Sequence, residues 1–475
     1  MTETAAQLLQ LDPDRLFPAD PAIRALAREL YEPVADAPIY SPHGHVDPAL
    51  LLDNAPFGDP AELLITPDHY VLRLLHATGV TLADLGRGAD GTGPRPDGRE
   101  IWRLLCRNWY VFAGTPVRYW LESQLAEILG VNVRPSEESA DRLYDELSEL
   151  LQSDAFRPRT LFDRFKIKVL ATTDDPADDL AAHRALAADP TFTGRVLPTF
   201  RPDGYLDPSV VGWPDRLARL AEAAGSATDS YRGLIDALRA RRRYFIENGG
   251  TATDNGPFDA WGTPLPDAEA ERIHAAGLAG TASPADGVAY RRNLTYQLAA
   301  MSVDDGLVMQ LHPGVHRSHH APSLARYGTD AGHDLPAVGG YTEPLRRILN
   351  DFGTDPNFRL VLFTVDETTF SREIAPLAGF YPSVYAGAPW WFLDTPAAIG
   401  RYRAAVTDSA GFYKTSGFID DTRAFLSIPA RHDMSRRTDA VHLAELVATH
   451  QLDLAEAHTI AHDLVTTIPT TVFRL

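Results

Sequence analysis

Past residue 165 the chain alternates short apolar runs with stretches of helical periodicity, and that alternation leaves few folds open. The runs are "IKVLATT" (167–173), "RVLPTF" (195–200), "GTATD" (250–254), "LVMQLH" (307–312), "RLVLFTV" (359–365), "SVYAGA" (383–388) and "SGFID" (416–420). "PIYSPH" (38–43) makes eight. Several end on polar residues at the C-terminal edge: Asp174 and Asp175, Arg201, Asp254, His312, Asp366 and Asp421. Eight β/α units with polar chemistry on that edge predict an α/β fold, a (β/α)8 TIM-type barrel whose site forms at that face.

Ahead of the first run, residues 1–38 read as an N-terminal helical segment. Asp20 and Pro21 are placed to start a helix over 20–32. The barrel domain then spans 39–475, with a large helical insertion at about 50–165, after the first strand. Within it, Thr66 and Pro67 open one helix, and Leu143, Leu147, Leu150 and Leu151 mark another. Gly86, Gly88 and Gly91 match a dinucleotide fingerprint literally, but more Gly and Pro follow where a helix would be needed, so a surface loop is expected.

A net charge of −20 without a basic stripe argues against nucleic acid as a partner, and an anionic ligand would need arginines placed locally. Cys106, the single cysteine, stands in an apolar helical stretch and reads as a packed thiol in a reducing compartment. The N-terminus lacks a signal-peptide pattern and no apolar run is long enough to span a bilayer, so a cytoplasmic protein with no membrane partner is expected.

"HGH" (43–45) ends the first run. In a strand, residues i and i+2 share a face, so His43 and His45 would both face the barrel mouth and could take adjacent positions on a divalent metal. His312 ends the fifth run and Asp421 follows the last, where a carboxylate could complete the ligands or act as base. The plainer readings are a strand-end histidine bonded to a loop and an Asp-Asp turn. "HRSHH" (316–320) with His333 reads as solvated loop histidines before a second metal site, and Asp174 and Asp175 as loop and cap residues.

With "TTDDP" (172–176), the "FRPD" step (200–203), "QLHPG" (310–314), "WWFLD" (390–394) and "DDTRAFLS" (420–427), the sequence resembles the uronate isomerases of the amidohydrolase superfamily, from about residue 20 to about 437. The resemblance implies an isomerase that interconverts D-glucuronate with D-fructuronate and D-galacturonate with D-tagaturonate. It implies His43, His45 and Asp421 as metal ligands with His312 beside them, and one divalent ion, zinc ahead of manganese, iron or cobalt. Arg201 would hold the sugar carboxylate, with Arg317, Trp390 and Trp391 lining the substrate. Asp421, Tyr70 and Arg423 would be the catalytic residues: Asp421 or a metal-bound oxygen as base, Tyr70 as proton donor or shuttle. A small hexuronate is the expected partner, in a homo-oligomer.

Three loops depart from the family pattern: "VDETTF" (365–370) replaces an Asn-Pro-Arg-Asp-Asn step, "SHH" (318–320) an asparagine run, and "HDLVTTIP" (462–469) lacks paired asparagines. Two rival readings are a metal-dependent hydrolase on the same scaffold and a non-catalytic sugar-acid binder.

Overall fold

The structure, a computed structural model, describes residues 8–88 and 96–475. Its barrel strands are short and run in parallel. β1 (Ile39–Ser41), β2 (Ile167–Ala171) and β3 (Arg195–Leu197) form one ladder. β4 (Ala252–Asn255) and β5 (Val308–Leu311) begin a second; β6 (Val315–His316) and β7 (Leu335–Pro336) form an antiparallel hairpin above it; β8 (Leu360–Leu362) and β9 (Val384–Ala386) complete it in the order β4-β5-β8-β9. Phe200 joins the two ladders, its N–H donating to Ala252 O at 3.2 Å and its carbonyl accepting from Asp254 N–H at 3.0 Å.

The eighth run is not a strand. It touches β9 through one bridge, Ala386 with Thr415, and through Ser416 N–H on Ala386 O at 2.9 Å. Gly417 explains the break: its φ of +73° is left-handed, and a Cβ there would lie 2.9 Å from Pro469 Cδ and 3.1 Å from Leu464 O. The C-terminal helices approach so closely that a side chain at this position would crowd them. The ring still closes, because His45 N–H donates to Thr422 O at 3.0 Å, tying the end of the eighth run to the loop after β1.

Strand alternation sorts the packing. On β5, Met309 and Leu311 join the apolar layer beneath the helices Trp213–Ala224, Tyr231–Glu247 and Pro284–Asp305, while Val308 belongs to the other core. That other core also takes the buried faces of the helices between β1 and β2 and of the long helix Ser427–Ala448, along which Pro21–Ala35 packs. Asp20 caps Pro21–Ala35 as expected, accepting from Ala22 and Ile23 N–H. Thr66 and Pro67, however, do not open the next helix. It spans His69–Ala77, and Asp68 caps it by accepting from Tyr70 and Val71 N–H, a stronger signal than the proline just before it. Cys106 is buried, and burial pushes its thiol up to about 12, which keeps it protonated. Gly91 of the glycine-rich stretch lies outside the described residues. No helix of the described residues is long and apolar enough to cross a membrane.

Candidate active site

β1 ends at Ser41, so His43 and His45 sit in the loop beyond it and strand alternation does not align them. Hydrogen bonds from both sides do. Thr173, just past β2, donates its hydroxyl to Gly44 O at 2.9 Å, and Thr422 O accepts from His45 N–H. The loop is thereby slung between two neighbouring barrel segments, with both imidazoles turned toward the mouth.

Asp421 completes the arrangement. Its φ of +39° is left-handed, a region that Asp tolerates better than most residues. Its Oδ1 lies 3.3 Å from His43 Nε2 and 3.0 Å from His45 Nε2. One ligand atom from each of these three residues lies within 4.8 Å of the others. A second set of the same compactness consists of His43, Asp254 and His312. His312 therefore groups with His43 and Asp254 rather than with His45 and Asp421. Its ring stacks on His43 (4.8 Å between centroids, 26°) and on Phe363 (4.0 Å, 10°). Among the described residues these are the His/Cys/Asp/Glu groups close enough to share an ion; the histidines at 316–320 and His333 form none.

The protonation of Asp421, His45 and His312 favours a cation. Burial would lift Asp421, but His43 and His45 overrule it and hold the carboxyl well below its usual range. Burial lowers His45 and His312 despite their carboxylate neighbours, leaving neutral imidazoles. Burial also disfavours charge on His43, yet Asp421 and Asp254 raise it. An ionised carboxylate with imidazoles aimed at one oxygen, and a His312 Nε2 buried without a hydrogen-bond partner among the described residues, are donors that a divalent ion can use. The chain thus holds a metal-binding group of His/Asp type.

These residues line a cavity of about 390 Å³ at the barrel mouth. Arg201, Arg317, Arg423, Tyr70, Trp390 and Trp391 share its wall. Arg201 is anchored twice, its Nε 2.9 Å from Asp203 Oδ2 and its Nη1 3.0 Å from Asp254 Oδ2. Burial opposes its charge, but Asp254 and Asp203 keep it protonated. Arg317 lies over the Trp391 ring at 5.6 Å, and Arg423 Nη1 pairs with Asp330 Oδ1 at 3.2 Å. Trp391 and Phe392 have φ of +29° and +64°, strain of about 1–3 kcal/mol each that is commonly stored at functional sites.

Tyr70 donates its hydroxyl to Asp394, with oxygens at 2.8 and 2.9 Å, and Arg431 Nη1 holds the same carboxylate at 2.8 Å. Burial, with Asp394 close by, raises the Tyr70 phenol well above its ordinary value. Burial raises Asp394 too, against Arg431 and Tyr70. His69, stacked on Tyr70 at 4.8 Å, is pushed down to about 3 by burial and by Arg423 and Arg431, so it stays neutral. Asp394, Arg431, His69 and Asp330 were not singled out from the sequence. Asp254 was visible as a strand-end acid but carried no assigned role.

A family model described as glucuronate isomerase matches residues 22–471. A uronate isomerase from Corynebacterium efficiens is 50% identical over 465 residues, which cover 98% of this chain and 98% of that one. One from Cutibacterium acnes is 50% identical over 467 residues, 98% and 99% of the two chains. The crystal structure of glucuronate isomerase from Caulobacter crescentus superposes with a TM-score of 0.96 at 43% identity over 98% of both chains. That of uronate isomerase from Thermotoga maritima gives 0.91 at 27% identity, over 98% of this chain and 99% of the other.

Proposed function

Because this chain belongs to the glucuronate isomerase family and is an isomerase, we propose that it interconverts D-glucuronate with D-fructuronate and D-galacturonate with D-tagaturonate in the cavity at the barrel mouth. The observation that carries this reading is one cavity that holds both a compact His/His/Asp group and arginines for an anion.

Aldose–ketose isomerisation removes a proton from the carbon beside a carbonyl and returns it one carbon away, through an enediolate. The site needs a base, a proton carrier and positive charge near developing negative oxygen. His43, His45 and Asp421 would hold one divalent ion, with His312 beside them and zinc the first choice for imidazole and carboxylate donors. When bound, that ion supplies Lewis acidity toward the carbonyl.

The remaining chemistry belongs to the chain. Arg201 and Arg317 take the sugar carboxylate through charge-assisted hydrogen bonds, which fixes the far end of the substrate and so the register of the reacting carbons. Asp421, held ionised, is the candidate base at those carbons. Tyr70, its phenol held protonated, carries a proton within reach of the cavity and is the candidate donor, with Asp394 orienting its hydroxyl. Arg423 reaches the reacting carbons from beside Asp421, while Trp390 and Trp391 wall the pocket and limit water.

The test incubates metal-loaded protein with D-glucuronate and with D-galacturonate and follows ketose formation by NMR. Ketose from at least one is expected. Folded, metal-loaded protein that yields none from either would remove the substrate assignment. Arg201→Ala separates the rival hydrolase: loss of uronate turnover is expected here, whereas cleavage of a neutral substrate would be insensitive to it.

A further inference from the structure

Gly256 immediately follows β4 and forms part of the cavity wall. Its φ lies outside the left-handed range, so the backbone does not demand glycine there. The space does. A Cβ built on it would lie 3.0 Å from Asp203 Oδ2, 3.2 Å from Arg201 Nη2 and 3.3 Å from Arg317 Nη2. The two guanidinium nitrogens thus flank one point, directly above an atom that has no side chain.

The flanking groups are not equally free. Arg201 is fixed by Asp203 and Asp254, and Gly256 N–H itself donates to Asp203 Oδ1 at 2.9 Å. Arg317 comes from the hairpin loop and lies over Trp391. A methyl group at 256 would press on both arginines, and Arg317 is the one able to yield, which would part the pair. Charge points the same way. Asp203 and Asp254 already offset Arg201, so Arg201 alone offers an anion little net attraction, and capture depends on Nη2 of Arg201 and Nη2 of Arg317 acting together.

We infer that Gly256 is a specificity-determining residue: its bare Cα leaves open the gap through which a substrate carboxylate reaches both Arg201 and Arg317. The inference rests on the reading of these arginines as the carboxylate end of the site. A bulkier residue at 256 narrows that end and selects against a terminal carboxylate without touching the reacting carbons.

The test uses metal-loaded wild type, Gly256→Ala and Gly256→Val. Calorimetric binding of galactarate, a six-carbon dicarboxylate with no carbonyl to isomerise, is compared with binding of galactitol, its neutral counterpart, and uronate kinetics are measured in parallel. The inference expects galactarate affinity and uronate KM to worsen about tenfold in the alanine variant and more in the valine variant. It expects galactitol to bind equally to all three proteins and melting temperatures to stay close. Unchanged galactarate binding in both variants overturns it, as does equal weakening of galactitol. A melting temperature that collapses in both variants also overturns it, since the glycine would then be structural. Absence of uronate turnover by the wild type strikes the proposed function instead, and galactarate binding still decides the role of Gly256.

Discussion

Asp421 presents one oxygen to two imidazoles, and Arg201 presents one guanidinium to two carboxylates. The second arrangement makes Arg201 difficult to replace. A lysine keeps the charge but cannot hold Asp203 and Asp254 through separate nitrogens while offering a third to a ligand. Arg201→Lys should therefore lower uronate kcat/KM by about 10- to 100-fold, matching the ~1.5–3 kcal/mol of a hydrogen bond to a charged group. Steady-state kinetics checks this, and wild-type kinetics in the lysine variant would contradict it. Beside the site, Thr172 links two residues with opposite pH behaviour, Asp174 and His183, its hydroxyl 2.7 Å from each. Burial raises Asp174 to about 7 from an ordinary 3.8, so between those values the native state holds the extra proton and stability falls as pH rises. Burial lowers His183 to about 4 from 6.5, so there the unfolded state holds the extra proton and stability climbs with pH. The two slopes oppose between about pH 4 and 6.5. Asp174→Asn should expose the rise and His183→Gln the fall, each approaching about 1.4 kcal/mol per pH unit. Urea melts at pH 4.5 and 6 read this directly, and slopes equal to wild type in both variants would contradict it.

At the scale of elements, the alternation of apolar runs and helices was legible, and seven of the eight runs form strands. The eighth was not, because what breaks it is tertiary: the C-terminal helices pressed on Gly417. The placement of "HGH" was legible only as a location. His43 and His45 align because Thr173 and Thr422, far away in sequence, fasten their loop, and no local period could show that. The same reason hid Asp394 and Arg431, which meet Tyr70 across more than three hundred residues of chain. Asp254 was in view at a strand end, but its bonds to Arg201 and His312 depend on barrel order. Thr173→Val keeps the shape of the side chain and removes its bond to Gly44 O. Loss of a group that orients ligands typically costs 10- to 100-fold in metal affinity. Competition with a metal-binding dye should show about a tenfold loss for this variant with little change in melting temperature, and undiminished affinity would contradict the role of the sling.

For the molecule as a whole, a chain of net charge −20 draws divalent cations toward it and repels sugar acids at long range, so the barrel mouth must collect an anion by local means. In the proposed reading, arginines set against fixed acids beside a group of imidazoles and a carboxylate provide that means. The family match fits that division of labour, and the altered loops at 318–320, 365–370 and 462–469 lie outside the His/His/Asp group. The central claim is that His43, His45 and Asp421, rather than His43, Asp254 and His312, hold the ion. Elemental analysis of dialysed wild type, His45→Asn, Asp421→Asn and Asp254→Asn tests it most directly. The account predicts about one zinc-type ion per chain in wild type and Asp254→Asn and little in the other two, as expected when a ligand of a three-residue site is lost. Full occupancy in His45→Asn and Asp421→Asn, with loss confined to Asp254→Asn, would contradict it.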